Sequence, residues 1–223
     1  MDLRAPDISV LASARARAWF QHDGTTRELL GRMARSLADS ARTAALSVEL
    51  IFHDAGGNHG PAQWLSCHCD GLAKVTVLVD EHNRLPYSRG RGINSAAAVA
   101  GARVLAILQP DMLIVADVLT RGLAVARRGE AFLPYYMRYS GPAEAAWRLG
   151  NGTGNVFVLR ETFQRVGGWP DVPWTDGKDD TAFAHRLKSA GVPLIRELPG
   201  GLAHMWHPSR MGWDSLDVEE SGA

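Results

Sequence analysis

The chain has 223 residues, enough for one large domain or two small ones, and a hydrophobic fraction of 46% that allows a substantial core. Lysine plus arginine equals aspartate plus glutamate at 24 each, a balance that gives no reason to expect nucleic acid or anionic membrane as the main partner. No apolar run reaches spanning length and no basic segment precedes an apolar stretch at the N-terminus, so a soluble, cytoplasmic chain without signal peptide or transmembrane segment is expected.

Short apolar runs alternate with longer helical patterns. Residues 8–12 read as a strand, and Leu29, Leu30, Met33, Leu37 and Ala41 recur at helical spacing. A second strand over 46–52 ends at the turn signal His53-Asp54-Ala55-Gly56-Gly57. A short helix is expected over 61–69, with Pro61 in its first turn, and a β-branched strand over 75–79. Cys67 and Cys69 are the two cysteines, too close for an unstrained disulfide. They lack the second ligand pair of a structural zinc site and read as a helix end before the loop at Asp70-Gly71. Ser88-Arg89-Gly90-Arg91-Gly92 reads as a glycine-loosened loop, followed by an alanine-rich helix over 94–102, a buried strand over 103–108 and a helix over 115–127. This βαβαβ order argues for a mostly parallel sheet covered by helices on both sides. Asp54, Asp80 and Asp111 each fall just after a predicted strand, at the sheet end where ligands bind in such folds.

The second half has another rhythm. Strands are expected over 131–133 and 156–159, a short helix over 161–166, and a firm helix over 179–190, where Phe183, Leu187 and Ala190 share a face and Gly191 and Pro193 stop the run. The tail after Trp213 is acidic and rich in small residues, and is expected to be mobile.

Several motifs carry candidate chemistry. Gly150-Asn151-Gly152-Thr153-Gly154-Asn155 precedes a strand, so it fails as a dinucleotide fingerprint. It reads either as a flexible turn or as backbone that lies close to a sugar ring. Arg89 and Arg91 precede a helix N-terminus, a setting suited to an anion or to nothing more than solvent. Asp179-Asp180 opens a helix, where acids cap the turn and complement its dipole. There a carboxylate serves as a general base only if burial or a like-charged neighbour restores its basicity. His204 and His207, three residues apart before Pro208, fit a metal pair if the chain bends, with Asp111 as a third ligand.

Taken together these pieces resemble the GT-A-fold glycosyltransferases, the inverting family-two enzymes in particular, with a C-terminal half of the galactosyltransferase and chondroitin-synthase type. The similarity runs from about Ile8 to Pro208 and is most marked from Gly154 onward, through Val166-Gly167-Gly168-Trp169 and Gly177-Lys178-Asp179-Asp180-Thr181. The resemblance implies a single GT-A domain over 1–223. Residues 1–114 would form the nucleotide-sugar half, 115–208 the acceptor and catalytic half with a smaller mixed sheet, and 209–223 the tail.

The resemblance also implies roles. Asp54 would contact the nucleotide, Arg89, Arg91 and Asn94 would lie beside the diphosphate, and Gln109-Pro110-Asp111 would stand for the Asp-x-Asp motif with Gln109 in place of its first acid. Gly154, Asn155 and Trp174 would face the acceptor or donor sugar. Asp180 would be the general base beside Asp179, and Asp111, His204 and His207 would hold Mn2+ or Mg2+. The implied activity is metal-dependent, inverting transfer from a nucleoside-diphosphate sugar, a UDP-sugar first, to the hydroxyl of a glycan or small-molecule acceptor. The substitution at Gln109 keeps open a non-catalytic sugar-nucleotide binder or partner domain, and water as acceptor would make the chain a nucleotide-sugar hydrolase.

Overall fold

The structure is a computed structural model that describes residues 5–14, 19–23, 25–56, 65, 69–80, 87–114, 117–141, 143–172, 178–197 and 201–207. Most of the expected helix over 61–69, with Cys67, lies outside the described residues, as do Trp174, Gly177 and the tail.

The main sheet has seven strands. In chain order they are β1 (Ile8–Ala14), β4 (Val48–Asp54), β5 (Lys74–Val79), β6 (Val104–Ile107), β8 (Ala131–Phe132), β11 (Val156–Leu159) and β12 (Leu194–Ile195). Their spatial order is β12-β8-β11-β6-β1-β4-β5. β1, β4, β5 and β6 run parallel, and β11 is antiparallel to both of its neighbours. Every residue of β1 and β4 is buried, as expected of parallel strands covered on both faces.

Side-chain alternation divides the core in two. Val10, Ala12, Leu50, Phe52, Ala106 and Phe157 pack on one face against α1 (Leu30–Ala44) and α3 (Val118–Arg127). Leu11, Ile51, Leu105, Ile107 and Val158 pack on the other against α2 (Arg89–Val99), α4 (Arg160–Arg165) and α5 (Asp179–Ser189). No helix among the described residues is long and apolar enough to cross a membrane.

The chain passes from β1 outward to β4 and β5, then returns through α2 to β6 on the opposite side of β1. The order therefore reverses between β1 and β6, and a crevice at their carboxyl ends is the preferred ligand position in such a sheet. Asp54 ends β4, and Gln109-Pro110-Asp111 follows β6 at this edge.

A second sheet lies beside the first. Its strands β7 (Met112–Ile114), β9 (Tyr136–Ser140), β10 (Ala146–Gly150) and β13 (Leu202–His204) take the order β10-β9-β13-β7 with mixed directions. A separate hairpin joins β2 (Trp19–His22) to β3 (Thr25–Glu28). β7, β9, β10 and the hairpin were not expected. They are short, and β9 and β10 are only partly covered, so these two lack the uniform apolar runs of the main sheet. β7 takes the residues just before α3, whose expected start at 115 moves to Val118.

Arg89 and Arg91 are not on a loop but in the first turn of α2, where Ser88 caps the helix by accepting from the Arg91 N–H at 3.3 Å. The glycines that follow them, Gly90 and Gly92, answer to packing. A Cβ on Gly90 would stand 2.0 Å from the Pro170 carbonyl oxygen, and one on Gly92 would stand 2.1 Å from Ser13 Oγ and 2.6 Å from His53 Nδ1. Because Pro170 presents backbone, no rotamer change relieves the first clash. Gly90→Ala is therefore expected to cost about 3 kcal/mol of stability, at the upper end for overpacking, read as a lowered urea midpoint.

Cys69 is partly buried. Burial, assisted by Asp70, pushes its thiol up to about 11, away from the thiolate that binds metal or attacks a substrate.

Candidate active site and metal centre

Asp111 stands where the two sheets meet. Gln109-Pro110-Asp111-Met112 closes a tight turn, with Met112 N–H donating to the Gln109 carbonyl at 3.2 Å and Pro110 supplying the fixed φ that suits its second position. β7 begins at Met112 and pairs with β13 so that His204 lies opposite Met112. Beyond that pair the Met205 N–H donates to the Asp111 carbonyl at 2.8 Å.

This register brings both histidines to the carboxylate of Asp111. His207 Nε2 is 3.1 Å and His204 Nε2 is 3.6 Å from Asp111 Oδ2. The three ligand atoms all lie within 4.8 Å of one another, and Asp111 is only 2% exposed. One carboxylate and two imidazoles suit a first-row divalent ion, and a buried acid facing two histidines has little purpose as packing. The expected convergence of Asp111, His204 and His207 is thus present. The Tyr136 ring lies 6.0 Å from that of His204. It occupies the space a side chain at Gly150 would need, since a Cβ there would come within 2.3 Å of the ring.

The acidic pair at the start of α5 separates into two environments. Asp179 is 3% exposed, and its Oδ2 accepts from Arg89 Nε at 2.8 Å and from Trp169 Nε1 at 2.7 Å. Trp169 in turn stacks on Phe183 at 4.5 Å, and the Arg89 guanidinium lies 5.1 Å over the indole. The Asp179 carboxylate, expected beside the general base, thus lies in a buried ion pair. Arg89, expected beside a diphosphate, is the other half of that pair. Asp180 is partly exposed, and its Oδ1 accepts from the Thr181 N–H at 2.7 Å.

Two other residues expected at the ligand are committed to the chain. Asn94 donates to the Trp169 carbonyl and accepts from the Trp169 N–H, both at 2.9 Å. Gly168, at φ +70°, leaves room for it, because a Cβ there would stand 2.6 Å from Asn94 Oδ1. The Gly-Gly-Trp segment is thus built to carry the tryptophan that reaches Asp179. Asn155 is 1% exposed and accepts from the Gln109 N–H at 3.0 Å, so it holds the Gln109–Asp111 turn.

The glycine-rich segment passes close to Gln109 at Gly154. A Cβ there would stand 2.6 Å from Gln109 Nε2 and 3.4 Å from Arg89 Nη1. Gln109, Gly154, Arg89 and Asp179 therefore form one line of contacts from the Asp111 turn to the first turn of α5.

At the ends of β1 and β4, Asp54 is 9% exposed and accepts from the Gly56 N–H at 3.1 Å. Arg91 is half-buried and lies 3.7 Å from Asp171. Two residues here escaped the sequence reading. His53 is buried with Nδ1 3.4 Å from Ser13 Oγ. Burial holds its imidazole below the ordinary range against the opposing pull of Asp80 and Asp54. Its place beside Asp54 was the available signal.

No family model matches the chain and no curated protein matches it in sequence. Solved structures do. The catalytic domain of Drosophila β1,4-galactosyltransferase 7, in complex with xylobiose, is similar over 90% of this chain and 71% of that one, with TM-score 0.54 and 16% identity. The mannosyltransferase PcManGT of Pyrobaculum calidifontis, in complex with GDP-Man and Mn2+, is similar over 98% of this chain and 62% of that one, with TM-score 0.59 and 17% identity. Residues 1–349 of S. aureus TarS are similar over 89% of this chain and 60% of that one, with TM-score 0.62 and 11% identity. The chain thus spans less than two thirds of the last two. These likenesses, with the seven-stranded and four-stranded sheets, establish the GT-A fold of glycosyltransferases.

Proposed function

We propose that the chain is a metal-dependent, inverting glycosyltransferase that moves a sugar from a nucleoside-diphosphate donor to an acceptor hydroxyl. The observation that carries this reading is the meeting of Asp111, His204 and His207 at the carboxyl edge of a GT-A sheet. Asp111, His204 and His207 would hold the ion. A divalent ion there offsets charge that builds on a diphosphate leaving group.

The chain's own residues supply the rest. Asp180, half-exposed at the first turn of α5, takes the proton of the attacking hydroxyl. Its partner Asp179 is held in the ion pair with Arg89 and orients the turn. Asp54 and Arg91 serve the nucleotide and diphosphate end. Attack opposite the leaving group inverts the anomeric centre, and holding donor and acceptor in line supplies much of the acceleration.

Two imidazoles beside one carboxylate, with neutral Gln109 in the first acid position, favour manganese over magnesium. Magnesium prefers an all-oxygen shell. A thermal-shift panel of nucleoside-diphosphate sugars, uridine diphosphate sugars first, tests the reading. At least one donor is expected to raise the melting temperature, more with Mn2+ than with Mg2+ at equal concentration. If no nucleotide sugar shifts it with either ion, the transferase reading fails. Donor binding without transfer or hydrolysis would favour the non-catalytic binder.

A further inference from the structure

Two hydrogen bonds among the described residues fasten the turn that carries His204 and His207. One is the Met205 N–H on the Asp111 carbonyl. The other is the Trp206 N–H, which donates to Glu144 Oε1 at 3.1 Å. Glu144 belongs to the β9–β10 loop, where its N–H donates to the Gly141 carbonyl at 3.1 Å. Its carboxylate meets the Arg32 guanidinium of α1 side by side, Nη2 to Oε2 at 2.9 Å and Nη1 to Oε1 at 3.3 Å. The carboxylate is mostly buried, with 17% of the side chain exposed.

Glu144 also sits at φ +50°, a conformation that costs a non-glycine residue and persists only where surrounding contacts hold it. A glutamate at such a position would be replaced at little cost by glycine unless its carboxylate were wanted. The same helix also reaches the Asp111 side. Ser36 Oγ accepts from the Ile114 N–H at 3.1 Å and Ser40 Oγ donates to the Ile114 carbonyl at 3.3 Å. Ile114 ends β7, the strand that leaves Asp111. One face of α1 therefore grips both the strand that follows the carboxylate ligand and, through Arg32 and Glu144, the turn between the histidine ligands.

We propose that Arg32 and Glu144 form a positioning clamp that sets the spacing of His204 and His207 from Asp111 and so tunes the affinity of the metal centre. The proposal rests on the metal-centre reading above. Neither residue touches the ion. Glu144 fixes the backbone between the ligands, and Arg32 fixes Glu144.

The test is calorimetric titration of Mn2+ into the purified full chain and its variants, with melting temperatures taken without metal. Glu144→Ala is expected to weaken Mn2+ binding about tenfold, in the range seen when outer contacts of metal ligands are removed. Glu144→Gln, which keeps an acceptor for Trp206, is expected to lose only a fraction of that. Glu144→Gly separates positioning from stability. It relieves the positive φ, so its melting temperature should hold, while its Mn2+ affinity should fall as in Glu144→Ala. Arg32→Gln reads the clamp from its other half and should also weaken binding.

If Glu144→Gly and Arg32→Gln bind Mn2+ as tightly as the unaltered chain, the clamp is wrong and the metal centre stands. If affinity and melting temperature fall together in every variant, Glu144 is merely structural and the clamp is again wrong. If the unaltered chain binds no Mn2+, the metal centre itself fails, and the clamp with it.

Discussion

Asp180→Asn is expected to slow single-turnover transfer by about a thousandfold, within the range that general-base catalysis contributes, while leaving donor affinity within about twofold. The substitution is nearly isosteric. Asparagine keeps an oxygen to accept from the Thr181 N–H, the bond that Asp180 Oδ1 makes at 2.7 Å, so the first turn of α5 should be preserved. What it lacks is a carboxylate to take the acceptor proton. Donor titration by calorimetry and a rapid-quench transfer assay separate the two effects. Transfer by Asp180→Asn at the unaltered rate would remove Asp180 from the base role.

Its neighbour should behave in the opposite way. Asp179→Asn is expected to cost about 3–5 kcal/mol of stability, the usual penalty for breaking a buried ion pair by removing one partner. The asparagine oxygen still accepts from Trp169 Nε1, but the Arg89 guanidinium, with 6% of its side chain exposed, would lose its counter-charge inside the fold. Urea denaturation with the Asp180→Asn protein as control reads the difference directly. A loss below about 1 kcal/mol, typical of an exposed pair, would show that the pair is not buried in solution. Two adjacent aspartates thus separate into a stability effect and a rate effect.

The main sheet was open to sequence reading because its central strands are buried on both faces. Val104–Ile107 and Val156–Leu159 are continuous apolar runs of this kind. β9 and β10 were not legible, because none of their residues is buried and the alternation that marks a half-buried strand is missing. Propensity misled at the start of α2. Gly90 and Gly92 lower helix propensity and look like loop, yet contacts with Pro170, Ser13 and His53 demand small residues there.

The candidate metal ligands were legible as types and spacing, since one carboxylate and a histidine pair have few other uses together. The contacts of Arg89, Asn94, Asn155 and Asp179 were not. All four residue types suit ligands, but only the tertiary contacts show that Asn94 grips Trp169 and that Arg89 and Asp179 spend their charges on each other. Glu144 gave no signal at all, because its partners Arg32 and Trp206 are separated from it by 112 and 62 residues.

The most direct test of the whole account is the anomeric configuration of the product. With an α-linked nucleoside-diphosphate sugar, Mn2+ and an accepting hydroxyl compound, proton NMR of the first product formed should show a β-linkage, lost in Asp180→Asn and in Asp111→Ala. A product that keeps the α configuration would contradict single displacement with Asp180 as base.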